Sequence, residues 1–178
     1  MSDDWKLLNT STPSGAANVS FTDLTGYKIF KFVCIDIFPS GSGINFAFQV
    51  NASGGSGFNE TITSTFFAAT HHEDGSGGAL SYQAGDDQAQ GTAYQRLTRA
   101  TGGNADATCA GELFLYNPAS TTYAKNFYGE VHELYPDQAL DNFIAGYINT
   151  TTAITQIDFK FLSGTFDGVI KQYGLAAT

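Results

Sequence analysis

Apolar and polar residues alternate along most of this chain, in short runs separated by turns rich in glycine, serine or proline. In residues 154–161, the apolar side chains Ile157, Phe159 and Phe161 fall on one side, and the residues between them are polar. A period of two places successive side chains on opposite faces of an extended segment. The pattern therefore predicts a half-buried β-strand.

A second strand is predicted at residues 165–175, directly after the short polar turn at residues 162–164. We expect the last two strands to pair as a hairpin, with Asp158 and Asp167 facing solvent. Because an isolated hairpin is marginally stable in water, its apolar face must be covered by a second sheet.

The most apolar segment is residues 27–38, which Pro39 ends. Its alternation predicts one face with Ile29, Val33, Ile35 and Ile37, and an opposite face with Phe30, Phe32, Cys34 and Phe38. A strand that is apolar on both faces is usually central and covered on both sides. The second cover is expected from a loop or from a neighbouring subunit, which is the first indication of a partner.

The whole chain is predicted to contain about ten or eleven strands. The architecture expected is all-β, a two-sheet antiparallel β-sandwich of jelly-roll type, formed by residues 1–178 as a single domain. Residues 70–90 are predicted as a long surface loop, and residues 136–140 as the one helical turn. The further strands are predicted at residues 5–10, 18–21, 44–50, 58–69, 92–101, 107–116, 123–135 and 142–150. The core is predicted to include Phe32, Phe46, Phe48, Leu113, Phe159 and Ile170.

The composition supports this architecture, with 20 glycines, 15 phenylalanines and 9 tyrosines among 178 residues. This length allows one core without metal or disulfide cross-links. The two cysteines, Cys34 and Cys109, lie in apolar runs and are predicted as buried thiols, although the pattern leaves a disulfide open.

The formal charge of −9, with only 8 lysines and arginines, argues against nucleic acid as a partner. The start of the chain is acidic where a secretory signal is basic, and no apolar run approaches membrane-spanning length. We therefore expect a protein made in the cytoplasm that has no membrane partner.

The only cluster of metal-ligand residue types is His71-His72-Glu73-Asp74. Adjacent side chains on an extended segment point in opposite directions, so this run alone does not close a coordination sphere. We expect a solvated loop there, and a structural role for His132. No metal, cofactor or catalytic residue is predicted.

The sequence contains no local signature of a nucleophile with its base, of paired catalytic carboxylates or of a phosphate-binding loop, so we do not expect an enzyme. Exposed tyrosines could instead stack on sugar rings, as in carbohydrate-binding sandwiches. The candidates for such stacking are Tyr82, Tyr94, Tyr123, Tyr128 and Tyr147.

Five segments resemble a group of small virion proteins of tailed bacteriophages. The first part of the chain carries Trp5-Lys6-Leu7-Leu8, Val19-Ser20-Phe21-Thr22 and residues 27–39. The middle and the end carry residues 111–118 and residues 163–175, which are also similar to that group. The His71 to Asp74 region has no counterpart in the group's pattern.

The resemblance implies a β-sandwich that is a structural component of the virion, without catalytic residues. The member expected is a capsid decoration (cement) protein, made in the host cytoplasm, that binds the major capsid protein on the outer surface and stabilises the shell. It is expected to self-associate into a homo-oligomer, with a trimer as the first expectation. The alternative is a tail-fibre or receptor-binding module that recognises a host surface glycan.

Overall fold

The computed structural model of the protein describes residues 4–102 and 104–175, and it contains thirteen strands and no α-helix within those ranges. Part of the acidic start, residues 1–3, lies outside them. No helix in the described ranges is long and apolar enough to cross a membrane. The strands are β1 (Lys6–Ser11), β2 (Val19–Phe21), β3 (Ile29–Pro39), β4 (Phe46–Ala52), β5 (Ile62–His72), β6 (Ala79–Tyr82), β7 (Ala89–Gly91), β8 (Gln95–Arg96), β9 (Cys109–Tyr116), β10 (Lys125–Leu134), β11 (Gln138–Ile148), β12 (Ile154–Phe161) and β13 (Phe166–Leu175).

Two antiparallel sheets of unequal size form the fold. The larger has nine strands in the order β1-β13-β3-β9-β10-β11-β5-β6, with β7 also paired to β5. The smaller has four strands in the order β2-β12-β4-β8, and one hydrophobic core lies between the two sheets. The all-β antiparallel sandwich predicted from the sequence is therefore confirmed, and its jelly-roll type stays a prediction.

The predicted hairpin at the end of the chain is wrong. β12 pairs with β2 and β4 in the smaller sheet, whereas β13 pairs with β1 and β3 in the larger one. The turn at residues 162–164 carries the chain from one layer to the other, and the Leu162 N–H donates to the Asn45 carbonyl at 3.0 Å. Alternation identifies the faces of a strand, but it does not identify the strand's neighbours.

The core is centred on Phe159 of β12. Its ring centroid lies 5.3 Å from that of Phe32 on β3 and 6.0 Å from that of Phe46 on β4. Tilted and offset arrangements at such distances are favourable for aromatic rings. All six predicted core residues are buried, with at most 1% of their surface exposed, so this prediction is confirmed.

A bulge changes the faces of β3 at Asp36. Asp36 has a φ of 49°, and the pairing between β3 and β13 shifts opposite it, at Gly168 with a φ of 138°. A Cβ atom on Gly168 would lie 2.8 Å from the Asp36 carbonyl oxygen, so only glycine fits. Ile37 therefore joins Phe30 in the core, and its predicted place beside Ile29 and Val33 is wrong.

Asp158 is not solvent-facing as predicted, because it is 1% exposed. Its carboxylate accepts hydrogen bonds from Asn18 Nδ2 at 2.6 Å, from the Ser20 hydroxyl and from the Tyr94 hydroxyl at 2.9 Å. These bonds tie β2 and the segment before β8 to β12. Asp167 is exposed, as predicted.

Residues 70–90 lie mostly at the surface as expected, but they are not one long loop. β5 continues to His72 because residues 138–148 of β11 pair with it along its whole length, and β6 and β7 then pair with β5. The helical turn predicted at residues 136–140 is also wrong. Pro136 and Asp137 form the bend between β10 and β11, and β11 begins at Gln138.

Only two residues of the predicted strand at residues 92–101 form a strand, β8. The end of this segment is instead held by the buried carboxylate of Glu133. It accepts hydrogen bonds from the backbone N–H of Arg99 at 2.6 Å and of Ala100 at 3.1 Å, and from the Thr101 hydroxyl at 2.7 Å. These donors replace the ladder partners of a regular strand.

Cys34 and Cys109 are both buried free thiols, as predicted. Burial disfavours the thiolate form. It raises the pKa of Cys34 to about 12, and it raises the pKa of Cys109 well above the usual value of 9.0.

We expect Phe159→Ala to lower the free energy of unfolding by about 3–5 kcal/mol, because it removes a ring from a core that cannot collapse fully around the cavity. Urea denaturation followed by fluorescence measures this change. The control is Tyr123→Ala, which removes a ring that is 69% exposed and should change the value by less than about 0.5 kcal/mol. Equal effects of the two substitutions would contradict this account of the core.

The buried thiols predict a loss of stability at alkaline pH. Between pH 9 and about 12 Cys34 ionises in the unfolded chain but not in the folded one, and the raised pKa of Cys109 acts in the same direction. The contribution of both thiols is therefore complete below pH 9 and is lost as the pH rises. Each thiol adds a slope of up to about 1.4 kcal/mol per pH unit. Urea denaturation over this range should show a shallower slope for Cys34→Ala/Cys109→Ala than for the unmodified protein, and parallel slopes would contradict the assignment.

Candidate interaction surface

The side of the nine-stranded sheet that points away from the smaller sheet is here called the outer face. No strand in the described ranges packs across it. Strand register places its side chains in rows that run across the sheet. The first row is Leu7, Tyr173, Lys31, Phe114, Tyr128, Ala145 and Thr65. The second row is Lys171, Val33, Glu112, Glu130, Phe143, Phe67 and Tyr82.

Large apolar side chains cover much of the outer face. The Phe114 ring stacks on Tyr128 at a centroid distance of 6.0 Å, and the Phe67 ring meets Tyr82 edge-on at 5.2 Å. Leu7 is 49% exposed and Leu80 is 71% exposed. Clusters of exposed apolar side chains on an uncovered sheet face typically mark an interaction site.

Lys31 lies among aromatic rings on the β3 side of the outer face. Its Nζ is 4.8 Å from the Trp5 ring centroid and 5.7 Å from that of Tyr173, within the range of cation–π attraction. The same atom is 3.7 Å from Glu112 Oε2. These contacts hold the ammonium group on the face, where Lys171 of β13 adds a second positive charge.

The other side of the outer face is acidic, with Glu112 on β9, Glu130 on β10 and Asp141 on β11. The Tyr128 hydroxyl donates to Glu130 Oε2 at 3.1 Å. Burial and the charge of Glu130 raise the pKa of the Asp141 carboxyl, and His132 partly offsets this. Within the two rows the outer face is therefore polarised, with Lys31 and Lys171 on β3 and β13 and with Glu112 and Glu130 on β9 and β10.

Small residues leave depressions between the large side chains. One of about 120 Å³ lies over Ala145 and Thr65, with walls from Tyr128, Phe143 and Phe67. A second, of about 250 Å³, is lined by Ala110, Gly111, Glu112, Glu130, His132 and Asp141. All of these depressions are shallow and open. The outer face therefore offers hollows between protruding side chains for docking, and it lacks a deep cleft.

The His71 to Asp74 run occupies the end of β5 and the turn after it. His71 lines a depression of about 180 Å³ together with His132 and Asp141, whereas the Nδ1 atom of His72 is 3.9 Å from Asp137. Among residues 4–102 and 104–175, no group of three histidine, cysteine or acidic side chains is arranged to hold a metal ion. His132, expected to be structural, is exposed on the outer face.

The five candidate tyrosines do not form one site. Tyr82, Tyr128 and Tyr147 lie on the outer face, where all three are exposed. Tyr123 is exposed in the turn before β10, and Tyr94 donates its hydroxyl to Asp158 at the smaller sheet. Three of the five are therefore positioned to contact a partner of the outer face.

Sequence reasoning missed most of the surface, including Trp5, Phe67, Phe114 and Phe143. The available signal was the presence of large apolar residues on both faces of one strand. In β9, Phe114 and Tyr116 alternate with the core residues Leu113 and Leu115. A doubly apolar strand next to another doubly apolar strand predicts a sheet face that needs a cover.

No protein-family model matches the chain, and no curated protein matches it. Among solved structures, the chain is similar to one from the Gx strain of infectious bursal disease virus, with 12% sequence identity and a TM-score of 0.17. The similarity covers 99% of this chain and 42% of that chain, so this chain spans less than half of the other. A TM-score this low carries no argument about fold or function.

At protein concentrations low enough for the chain to be monomeric, the outer face predicts that the folded protein binds the dye anilinonaphthalene sulfonate, which fluoresces on apolar surfaces. Phe67→Ser/Phe143→Ser removes two walls of the depression over Ala145 and should lower the fluorescence at saturating dye. The control Leu162→Ser changes a residue that is 41% exposed in the turn between the sheets, and it should leave the signal unchanged. Equal signals from the two variants would show that the dye does not report the outer face.

Proposed function

We propose that the protein is a structural component of a bacteriophage virion, a decoration protein that attaches to the outer surface of the capsid and stabilises the shell. The observation that carries this proposal is the uncovered, aromatic outer face. An isolated soluble domain rarely exposes so many large apolar side chains on one sheet face, whereas a subunit of an assembly buries them against a neighbour. The outer face is the surface through which the protein packs in the particle.

The resemblance of the chain to small phage virion proteins is the reason for proposing a phage virion as this assembly. The remaining features suit a structural subunit, since the core is continuous and buried carboxylates bind the loops beside the sandwich. Many copies on a symmetrical shell gain strength through effective concentration, so each contact can be weak. The major capsid protein is the partner that such a shell provides.

A tail-fibre or receptor-binding module is the second candidate, favoured by the exposure of Tyr82, Tyr128 and Tyr147 on the outer face. Rings on a flat sheet can stack on sugars, and nearby carboxylates such as Glu130 accept hydrogen bonds from sugar hydroxyls. This candidate predicts the small copy number of a tail. The decoration protein requires a copy number that matches the capsid lattice.

The test is deletion of the gene from the phage that carries it. Particles that lack the protein should have a normal tail and should be less resistant to heat and to low salt. They should release their genome at a lower temperature, or on dilution at a higher salt concentration, than complete particles. Adding back the purified protein should restore resistance, and quantitative mass spectrometry of complete particles should give a copy number that matches the capsid lattice.

Two variants added to the deleted particles separate the outer face from the rest of the surface. Phe114→Ser/Tyr128→Ser should fail to bind the particles or to protect them, whereas Tyr123→Ser, at an exposed ring off the face, should protect fully. Unchanged heat resistance of the deleted particles would overturn the decoration role. Loss of adsorption to host glycan, with a tail copy number, would establish the second candidate instead.

A further inference from the structure

We infer that the occupant of the outer face is a second copy of this chain, packed face to face about a two-fold axis that runs parallel to the strands between β3 and β9. This inference rests on the proposed function in one respect, that the outer face is an assembly surface. It deepens that proposal by naming a second copy as the neighbour that covers this face, so that the pair contacts the major capsid protein through the rest of its surface. Three properties of the face support it: the distribution of its charges, the match of its protrusions and hollows, and its size.

The polarity is self-complementary. The axis places β13 of one copy over β10 of the other. It keeps each side chain at the same position along the strands, so every row of one copy lies over the same row of the other. Lys171 therefore faces Glu130 of the second copy. Lys31 faces Phe114 of the second copy in the same way. Sheets packed face to face lie about 10 Å apart, a gap that an extended lysine and a glutamate close together. Because the axis repeats each contact, the interface contains two Lys171–Glu130 pairs.

The protrusions and hollows of the face are also self-complementary. The same axis places β1 over β11, so the exposed Leu7 faces Ala145 of the second copy. Ala145 forms the floor of the apolar depression of about 120 Å³. A protruding leucine therefore meets a hollow in the same row, and Tyr173 meets Tyr128 beside it. An isologous two-fold contact requires such a match of one surface with itself.

The size of the face suits a stable pair. The six strands from β1 to β11 span roughly 29 Å at about 4.8 Å per strand, and the 8 residues of β9 span roughly 27 Å. Their product is a sheet footprint on the order of 800 Å² per copy, which is of the same order as the accessible surface that a standard specific interface buries on each partner. A basic partner would leave Lys31 and Lys171 against like charge, so the second copy fits both halves of the face better.

The two-fold contact closes as a dimer, so it favours a dimer over the trimer expected from the sequence. Sedimentation velocity of the purified full chain, at a salt concentration near 0.15 M where charge repulsion is screened beyond about 8 Å, should show a dimer. Lys171→Glu and Glu130→Lys should each raise the dimer dissociation constant by about tenfold or more, because each substitution places like charges at both copies of the pair. Lys171→Glu/Glu130→Lys restores opposite charges and should recover the dissociation constant to within about threefold.

The matched control is Lys28→Glu, the same charge reversal at an exposed lysine outside the two rows, which should leave the dimer intact. Circular dichroism of each variant establishes that it is folded. A monomer or a trimer of the unmodified protein overturns the pairing, as do single variants without effect or a double variant that does not recover. If the protein is a monomer and still protects particles that lack it, only the pairing is overturned. If it is a dimer and never enters particles, only the proposed function is overturned.

Discussion

The packing of aromatic side chains between two sheets of unequal size is the constraint on which the rest of the structure depends. Phe159 of the four-stranded sheet lies against Phe32 of the nine-stranded sheet, and this layer removes the inner sides of both from water. The described chain contains no helix and no third layer. Burial of the inner side therefore leaves the opposite side of the large sheet open, and that side also carries aromatic residues.

Buried charges hold the loops that surround this core. Burying an ionised group is costly unless hydrogen bonds satisfy it, and each such group here binds a non-repetitive segment. Glu133 holds residues 99–101, and Lys125 Nζ donates to the carbonyl oxygens of Thr150 at 3.0 Å and Thr152 at 2.7 Å. The sheet therefore presents its outer face from a rigid frame, which reduces the entropy lost on docking.

The two-residue period was sufficient to predict the fold class and the six named core residues, because alternation is a local property of each strand. It failed where the decisive contact is remote. The exchange between sheets at residues 162–164 and the burial of Asp158 by Asn18 and Tyr94 both join positions far apart in the chain. The bulge at Asp36 changes which side chains of β3 face the core beyond that position. Asp36 is neither a proline nor a glycine, so nothing in the sequence indicated a bulge there.

The acidic balance of the chain and its apolar outer face act over different distances. A net charge of −9 repels other copies and acidic surfaces, but salt near 0.15 M screens that repulsion beyond about 8 Å. Apolar contact and the pairing of Lys171 with a carboxylate act only when two surfaces fit closely. Under the proposals made above, encounters between copies in other orientations are therefore suppressed, whereas two matched outer faces associate, and a high local concentration on a particle strengthens that association. The same charge that keeps mismatched surfaces apart thus makes assembly depend on geometric fit.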